Sequence, residues 1–243
     1  MGSELNDRIG RWVAALGINP ARAPTGAELA SRFARIADPC RLGADPRAIN
    51  GWERRHGFKL PPALRAWLTL SNGFYLDGPL IHPITAIGPM IPFARVPELL
   101  VQPESWFELG NPNVETVCID LAYDWPGGGA PVFTSGDDLT GSRPRVIAPS
   151  FEEWFLELLR RGGREYWFDP GSADLGDPWD AHRRFTPAPS LPARLRRLAP
   201  RVAPLIGTEA DERSIATSLG ISRGDVELIF RHLQHGTNGM AGA

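Results

Sequence analysis

The sequence is short of the features that mark exported and membrane-bound proteins. It has only two cysteines, Cys40 and Cys118, in unrelated contexts and without CxxC spacing, so neither a disulfide framework nor a zinc site is predicted. Glu4 and Asp7 interrupt the first apolar positions, which is not the pattern of a signal peptide. No segment approaches the roughly 20 apolar residues that a membrane span requires. These absences predict a cytoplasmic protein without a membrane anchor.

Positive charge other than arginine is almost missing. Lys59 is the only lysine, and the formal net charge of the 243 residues is −2. We interpret the arginine excess as an effect of genomic base composition rather than a need for bidentate anion contacts. A net charge so close to zero predicts neither nucleic acid nor an anionic membrane as a partner.

Recognisable catalytic motifs are missing as well. The five histidines show no HExxH or Cys/His spacing, and no serine nucleophile with a recognisable base is evident. Gly127-Gly128-Gly129 lacks the Gly-Lys-Ser/Thr ending of a phosphate-binding loop and is predicted to join two strands. Gly136-Asp137-Asp138 has no further oxygen ligand at loop spacing, which favours a hairpin turn over a cation site. Asp120 and Asp124 are candidates for an acid/base pair, but their spacing alone says little. The sequence therefore predicts no enzyme, metal site, cofactor or small-molecule substrate.

The clearest feature that is present is a pair of short amphipathic helices. Asp45 can cap the first helix, Pro46 fits its first position, and Gly57 ends it. Pro62 opens the second helix, and Asn72-Gly73 supplies a left-handed stop. Apolar stripes at helical spacing predict that both helices pack on a partner, while the charged residues of the first helix face water. The stripe residues are Ile49, Trp52, His56, Leu64, Trp67 and Leu68, and the water-facing residues are Glu53, Arg54 and Arg55.

Strand-like runs dominate the middle of the chain. Pro and Gly punctuate short β-prone runs, and around Cys118 apolar residues alternate with more polar ones, as they do when one face of a sheet is buried. Ser150 and Glu153 can form a capping box for a helix that returns across this sheet, as Thr25 and Glu28 can for an earlier helix. The candidate strands are Ile81 to Ile87, Trp106 to Leu109, Thr116 to Leu121, Pro131 to Thr134 and Arg145 to Ala148. This order predicts an α+β fold: N-terminal helices packed on an antiparallel or mixed sheet, a returning helix and a small C-terminal helical appendage.

Several of these residues together resemble a known family. The matching positions are Ile49, Glu53, Gly57, Leu60-Pro61, Leu68 and Asn72-Gly73, followed in the right order by Glu108 to Asn111, Ile119 to Leu121 and Ser150 to Trp154. At these spacings, residues 45–160 resemble the SUKH superfamily, which includes fungal cell-wall-assembly regulators of the Smi/Knr type and many bacterial proteins. Leu64 departs from the family pattern, in which an aromatic residue usually follows Leu-Pro. The resemblance implies a protein-binding role without catalysis, either as an immunity protein that neutralises a bacterial toxin or as a scaffolding regulator.

The domain boundaries follow from where the periodic patterns stop. Residues 1–163 are predicted to form the SUKH-like domain, with its core at 45–160. Residues 164–189 show neither the helical nor the strand period of apolar residues, but they contain Trp and Phe. We therefore expect an irregular linker packed along the domain surface. Residues 190–236 are predicted to be helical, beginning with a helix capped by Ser190. Residues 237–243 are predicted to be a disordered tail.

Residues 216–235 have the spacing of a helix-turn-helix, with a glycine at the turn and a serine that can cap the second helix. This spacing specifies how two helices pack and does not by itself specify DNA binding. Arg223 and Arg231 are the cations that DNA could contact, but Asp225 and Glu227 would repel a polyanion. We therefore favour a structural or protein-binding appendage, and DNA contact through the two arginines stays the alternative.

What remains is a surface for a protein partner. Aromatic and acidic residues lie at strand ends and in the connecting loops, and these residue types anchor many protein interfaces. The candidate partner-binding residues are Tyr75, Asp77, Trp106, Glu108, Asp124 and Trp125. We expect them to form an acidic, aromatic-rimmed face of the sheet that receives a basic partner such as a toxin domain.

Overall fold

The computed structural model describes residues 2–33, 40–76, 78–91, 101–112, 115–137, 141–206 and 211–236. The chain divides into two compact units, one made of residues 1–91 and 104–182 and the other of residues 92–103 and 183–243. Each unit contains a hydrophobic core of its own. No helix in these described ranges is long and apolar enough to cross a membrane.

The first unit begins with two helices, α1 (Gly2–Leu16) and α2 (Gly26–Arg32), separated by a short 3₁₀ turn at Pro20–Arg22. The apolar face of α1, which includes Trp12, is buried. The capping box predicted for α2 is confirmed, because Thr25 and Glu28 exchange side-chain and backbone hydrogen bonds.

The two predicted amphipathic helices form, but the second ends at Ser71 in an extended conformation and not at the predicted left-handed stop Asn72-Gly73. The two helices are α3 (Pro46–His56) and α4 (Pro62–Leu70). Asp45 accepts a hydrogen bond from the Arg47 amide at the start of α3, and Gly57 ends that helix in the left-handed conformation at φ 76°. The predicted stripe residues Ile49, Trp52, Leu64, Trp67 and Leu68 are all buried in the core of the first unit.

One charged residue of α3 does not face water as predicted. The Glu53 side chain is 5% exposed, and its carboxylate accepts hydrogen bonds from Lys59 Nζ at 3.0 Å and from the Leu60 amide at 3.2 Å. Arg65 Nη1 lies 2.9 Å from the same carboxylate. The prediction was wrong because helical periodicity cannot show that the chain after Gly57 folds back over this face. Glu53 thus ties the turn between α3 and α4 to α3.

The strands form two antiparallel sheets. The smaller pairs β1 (Phe74–Tyr75) with β2 (Pro79–Ile81). The larger has five strands in the order β3-β4-β5-β6-β7, and all neighbours are antiparallel. Its strands are β3 (Gly88–Pro89), β4 (Trp106–Gly110), β5 (Val117–Asp120), β6 (Val132–Thr134) and β7 (Arg145–Ala148). The predicted strand Ile81 to Ile87 is wrong for most of its length, because a turn follows Ile81.

The returning helix α5 (Phe151–Arg160) packs across the sheet and buries Phe151, Trp154 and Phe155. Its predicted capping box is only half formed. Ser150 caps the helix by accepting a hydrogen bond from the Glu153 amide. The Glu153 carboxylate instead pairs with Arg22, which comes from the N-terminal part of the chain. The α+β prediction is confirmed by this arrangement of helices and sheets.

After α5 the chain runs back along the sheet. Residues 166–182, which we call the covering segment, contain a 3₁₀ turn at Tyr166–Phe168 and most of helix α6 (Pro178–Phe185). Leu175 donates a backbone hydrogen bond to Val146 O, and Val146 donates one to Gly176 O, so the segment pairs with the outer edge of β7. The α6 helix was not predicted, since no apolar period marks it.

The second unit is helical. Its helices are α7 (Ala193–Arg196), α8 (Ala199–Val202), α9 (Glu212–Leu219) and α10 (Arg223–Gly236). The turn between α9 and α10 has Gly220 in the left-handed conformation, and Ser222 caps α10 through reciprocal hydrogen bonds with Asp225. Ser190 does not cap the first of these helices, because α7 starts after Pro192 without a side-chain cap. The predicted tail at 237–243 lies outside the described residues.

Candidate partner-binding site

The five-stranded sheet has two buried faces. On the first face, Phe107, Ile119 and Val132 join the core shared with the helices. On the second face, the alternating residues Trp106 and Phe133 are also almost fully buried, with exposed fractions of 1% and 0%. In β5 this face carries Cys118 and Asp120, as the predicted alternation requires, but both are buried and not free.

The covering segment explains part of this burial. Trp179 stacks on His182 within α6, with ring centroids 5.6 Å apart, and the His182 ring meets Trp106 edge-on at 6.3 Å. Trp106 in turn packs on Phe133 at 4.8 Å. The start of the segment is fixed as well, because Arg145 Nη2 donates to Trp167 O at 3.0 Å. The second face is therefore an internal surface where α6 lies on it.

A buried carboxylate joins this segment to the sheet. Asp120 Oδ2 accepts from Trp106 Nε1 at 2.8 Å and lies 2.6 Å from Nδ1 of His182. Asp120 Oδ1 accepts from Ser105 Oγ at 2.7 Å and from the Ala122 amide at 2.9 Å. Both carboxylate oxygens are thus satisfied, as a buried charge requires.

The Ser, Asp and His side chains of this network are not arranged like a nucleophilic triad. In a triad the imidazole lies between the hydroxyl and the carboxylate. Here the Asp120 carboxylate lies between Ser105 and His182, and all three residues are at most 7% exposed. Asp124, the other candidate for an acid/base pair, is exposed in the following loop. The geometry is that of a structural clamp.

Two further titratable groups near this face are held in their neutral forms. Burial raises the pKa of the Cys118 thiol well above its ordinary value, and Glu108 raises it further. Burial also raises the pKa of the Tyr123 hydroxyl, with a contribution from Asp120. A thiol with a raised pKa and no exposure is a poor nucleophile. In the described ranges, no three His, Cys, Asp or Glu side chains are placed to hold a metal ion together.

The residues predicted to bind a partner occupy different environments. Trp106 is buried against Phe133 and therefore cannot touch a partner in this conformation, while Asp77 lies outside the described residues. Glu108 is partly exposed, and its Oε1 lies 3.0 Å from Nε2 of His82. Tyr75 is half-buried, and the Arg41 guanidinium lies over its ring, 4.8 Å from the ring centroid.

Asp124 and Trp125 lie in the loop between β5 and β6. Asp124 is exposed and Trp125 is half-buried. The loop is ordered by hydrogen bonds from the Trp125 amide to Gly129 O at 2.8 Å, and from the Gly129 amide to Pro149 O at 3.1 Å. The predicted role of Gly127-Gly128-Gly129 as a strand-to-strand connection is confirmed. Asp124 and Trp125 are therefore accessible on a loop that backbone hydrogen bonds keep ordered.

A cleft of about 350 Å³ lies between α5 and the covering segment. Its charged lining includes Glu157, Arg161 and Asp169, whose side chains already pair with one another: Arg161 Nε lies 2.8 Å from Glu157 Oε1 and its Nη1 lies 3.5 Å from Asp169 Oδ2. These ion pairs hold the covering segment against α5. We therefore interpret this cleft as a structural contact and not as a binding site.

Residues 43–157 match the sequence model of the SMI1 / KNR4 family (SUKH-1). This region of the chain is similar to the SUKH-1 family. The resemblance drawn from the sequence motifs is confirmed by this match. No curated protein matches the chain.

The SUKH-1 match explains which residues the sequence could identify and which it could not. Glu53, one of the matching positions, is the buried acid that fixes the turn before Pro61. His182 and Trp179, which complete the second face, lie beyond residue 157, where the family match ends. The aromatic content of residues 164–189 was the one feature of the sequence that predicted packing of this stretch on the domain surface. Nothing in the sequence paired His182 with Asp120, 62 positions away.

Proposed function

We propose that the protein is an immunity protein that neutralises a bacterial toxin domain by binding it directly. The observation that carries this proposal is the SUKH-1 match of residues 43–157, a domain class that implies protein binding without catalysis. The structural clamp around Asp120 is consistent with it, because the buried groups there stabilise the fold and do not reach solvent. Such a complex would form in the cytoplasm that the composition predicts.

The proposed binding surface is the rim of the sheet. It includes Tyr75, Glu108, Asp124 and Trp125, to which the sequence adds Asp77. Asp124 and Trp125 are the strongest candidates, since they are accessible and backbone hydrogen bonds order their loop. A loop that is already ordered loses little conformational entropy when it binds. The carboxylates of Glu108 and Asp124 favour a basic partner, with electrostatic attraction raising the association rate.

The test is co-expression of the full chain with toxin domains encoded by neighbouring genes. The immunity role predicts rescue of growth and a stoichiometric complex in size-exclusion chromatography. Asp124→Arg and Trp125→Ala should weaken the complex, whereas Asp7→Arg, which changes an exposed acid of α1 by the same charge, should not. If no neighbouring toxin is neutralised and no complex forms, the proposal is wrong.

A regulator or scaffold that contacts DNA through α10 is the alternative. Arg223 Nη2 lies 2.8 Å from Glu212 Oε2, and its Nε lies 3.2 Å from Glu227 Oε1. Two carboxylates thus compete with any phosphate for this arginine, which weakens the alternative. It predicts that Arg223→Glu and Arg231→Glu each abolish duplex binding measured at low salt.

A further inference from the structure

The net charge of −2 hides two parts of opposite sign. From residue 183 to the end, the sequence has nine arginines and five acidic residues, a net charge of +4. The preceding 182 residues have 17 basic and 23 acidic residues, a net charge of −6. The change of sign falls where the chain passes into the second unit. A basic unit joined to an acidic one indicates a polyanion as a partner of the basic unit.

The positive charge of the second unit is concentrated on α7 and α8. Arg194, Arg196, Arg197 and Arg201 lie within eight residues and are all exposed. Leu195 and Val202, on the opposite side of the same turns, are fully buried in the core of this unit. The arginines therefore line the outer side of these helices, which we call the arginine face.

The backbone keeps these arginines together. Arg197 and Leu198, between the two helices, are both in the right-handed helical conformation. The Leu198 amide donates to Leu195 O at 2.9 Å and the Arg201 amide to Leu198 O at 2.8 Å, so the helical turns continue. At this winding, residues three and four apart lie on one side, which places Arg194, Arg197 and Arg201 in a row.

Most of this charge is not neutralised. Arg194 pairs with Asp225 at 2.7 Å, and Arg196 donates only to the backbone carbonyl of Leu191. Among the described residues, Arg197 and Arg201 have no carboxylate within ion-pair distance. This contrasts with Arg223 on α10, which two glutamates hold.

We propose that the arginine face binds the phosphate backbone of double-stranded nucleic acid. Guanidinium groups match phosphate geometry, and a row of them can follow a phosphate backbone. Residues 186–229 contain no aromatic residue, so the face offers no platform on which unpaired bases could stack. It also lacks the aromatic anchors typical of protein interfaces and the large apolar side chains that enter a membrane. Binding is therefore independent of base sequence and goes beyond the proposed immunity role.

Fluorescence anisotropy with the full chain tests this proposal. The probes are labelled 30-base-pair duplexes of DNA and of RNA, titrated between 50 and 200 mM NaCl. Three phosphate contacts predict a slope of about −2.7 in a plot of log affinity against log salt, or about a 40-fold loss of affinity over this range. The variant Arg194→Gln/Arg197→Gln/Arg201→Gln, which removes the row, should remove this salt-dependent binding.

The matched control is Arg11→Gln/Arg54→Gln/Arg55→Gln. It removes the same charge from three exposed arginines of α1 and α3. Retention of duplex binding by this control, together with its loss in the arginine-face variant at unchanged circular dichroism, supports the proposal. The proposal is overturned if neither duplex binds at 50 mM NaCl, or if both triple variants lose affinity equally. It is also overturned if a single strand, polyglutamate or anionic phospholipid vesicles bind more tightly than the duplexes at the same salt.

Discussion

His182 Nδ1 lies 2.6 Å from Asp120 Oδ2, and both side chains are at least nine-tenths buried. The two residues come from α6 and β5, so this contact joins the covering segment to the middle of the sheet. Trp106 Nε1 shares the same carboxylate oxygen. Asp120 therefore contacts both the sheet and the covering segment through one carboxylate oxygen.

The first prediction concerns that acid. Asp120→Ala removes the carboxylate that Ser105, Trp106 and His182 contact in a buried site, which should lower the free energy of unfolding by about 3–5 kcal/mol. All eight tryptophans belong to the first unit, so tryptophan fluorescence during urea unfolding reports on this unit alone. Asp124→Ala, in the exposed loop, is the control and should change stability by less than about 0.5 kcal/mol. A stable Asp120→Ala protein would show that the clamp is dispensable.

The second prediction separates two tryptophans of the predicted site. Trp106→Phe removes the Nε1 bond to Asp120 and part of the packing on Phe133, and should cost about 1–3 kcal/mol. Trp125→Phe, at a half-buried loop position, should leave the urea midpoint nearly unchanged. Equal midpoints for the two variants would contradict the structural role of Trp106.

The third prediction is a pH dependence at Glu53. Burial alone would raise the pKa of this carboxyl, but hydrogen bonds from Lys59 and Leu60, together with Arg65, lower it below the ordinary 4.5. Because the folded pKa is below the unfolded one, the stabilisation is complete above the unfolded pKa and is lost as pH falls through the folded pKa.

Glu53→Gln should therefore cost about 2 kcal/mol at pH 7 and progressively less below pH 4.5. Urea unfolding at a series of pH values measures this difference, with Asp7→Asn as the exposed control. A difference that stays constant with pH would mean that packing, and not the charge of Glu53, stabilises the turn.

The fourth prediction compares two glycines of the second unit. Gly220 has φ 65°, so Gly220→Ala should destabilise the turn by about 1 kcal/mol although its added Cβ meets nothing within 4 Å. Gly224 lies in the first turn of α10 without a positive φ, and Gly224→Ala should stabilise the helix by about 0.5–1 kcal/mol. Hydrogen exchange of amides in α9 and α10 measures both effects, and shifts of the same sign would contradict the assignment of the turn.

Local signals in the sequence predicted the elements that local chemistry determines. Asp45, Pro46 and Gly57 mark the limits of α3 because capping and left-handed glycine act within one turn. Strand β7 was predicted with its observed bounds, since Arg145 to Ala148 is set between turn residues.

Contacts between distant parts of the chain were beyond such signals. The alternation in β5 predicted a polar second face, yet Cys118 and Asp120 are buried. Residues that lie far along the chain and have no apolar period complete this face. The candidate site changed for the same reason, because Trp106 was expected at the surface and is enclosed by His182.

The covering segment also bears on where a fragment of the first unit can be cut. A fragment trimmed to the end of the family match at residue 157 would retain the described strands and seven of the ten residues of α5. It would lack the α6 side chains that pack on Trp106 and contact Asp120. In such a fragment Trp106 would be exposed to solvent and Asp120 would lack its contact with His182. Exposed apolar surface of this kind promotes self-association. We therefore expect a stable fragment of the first unit to need residues beyond the end of the family match.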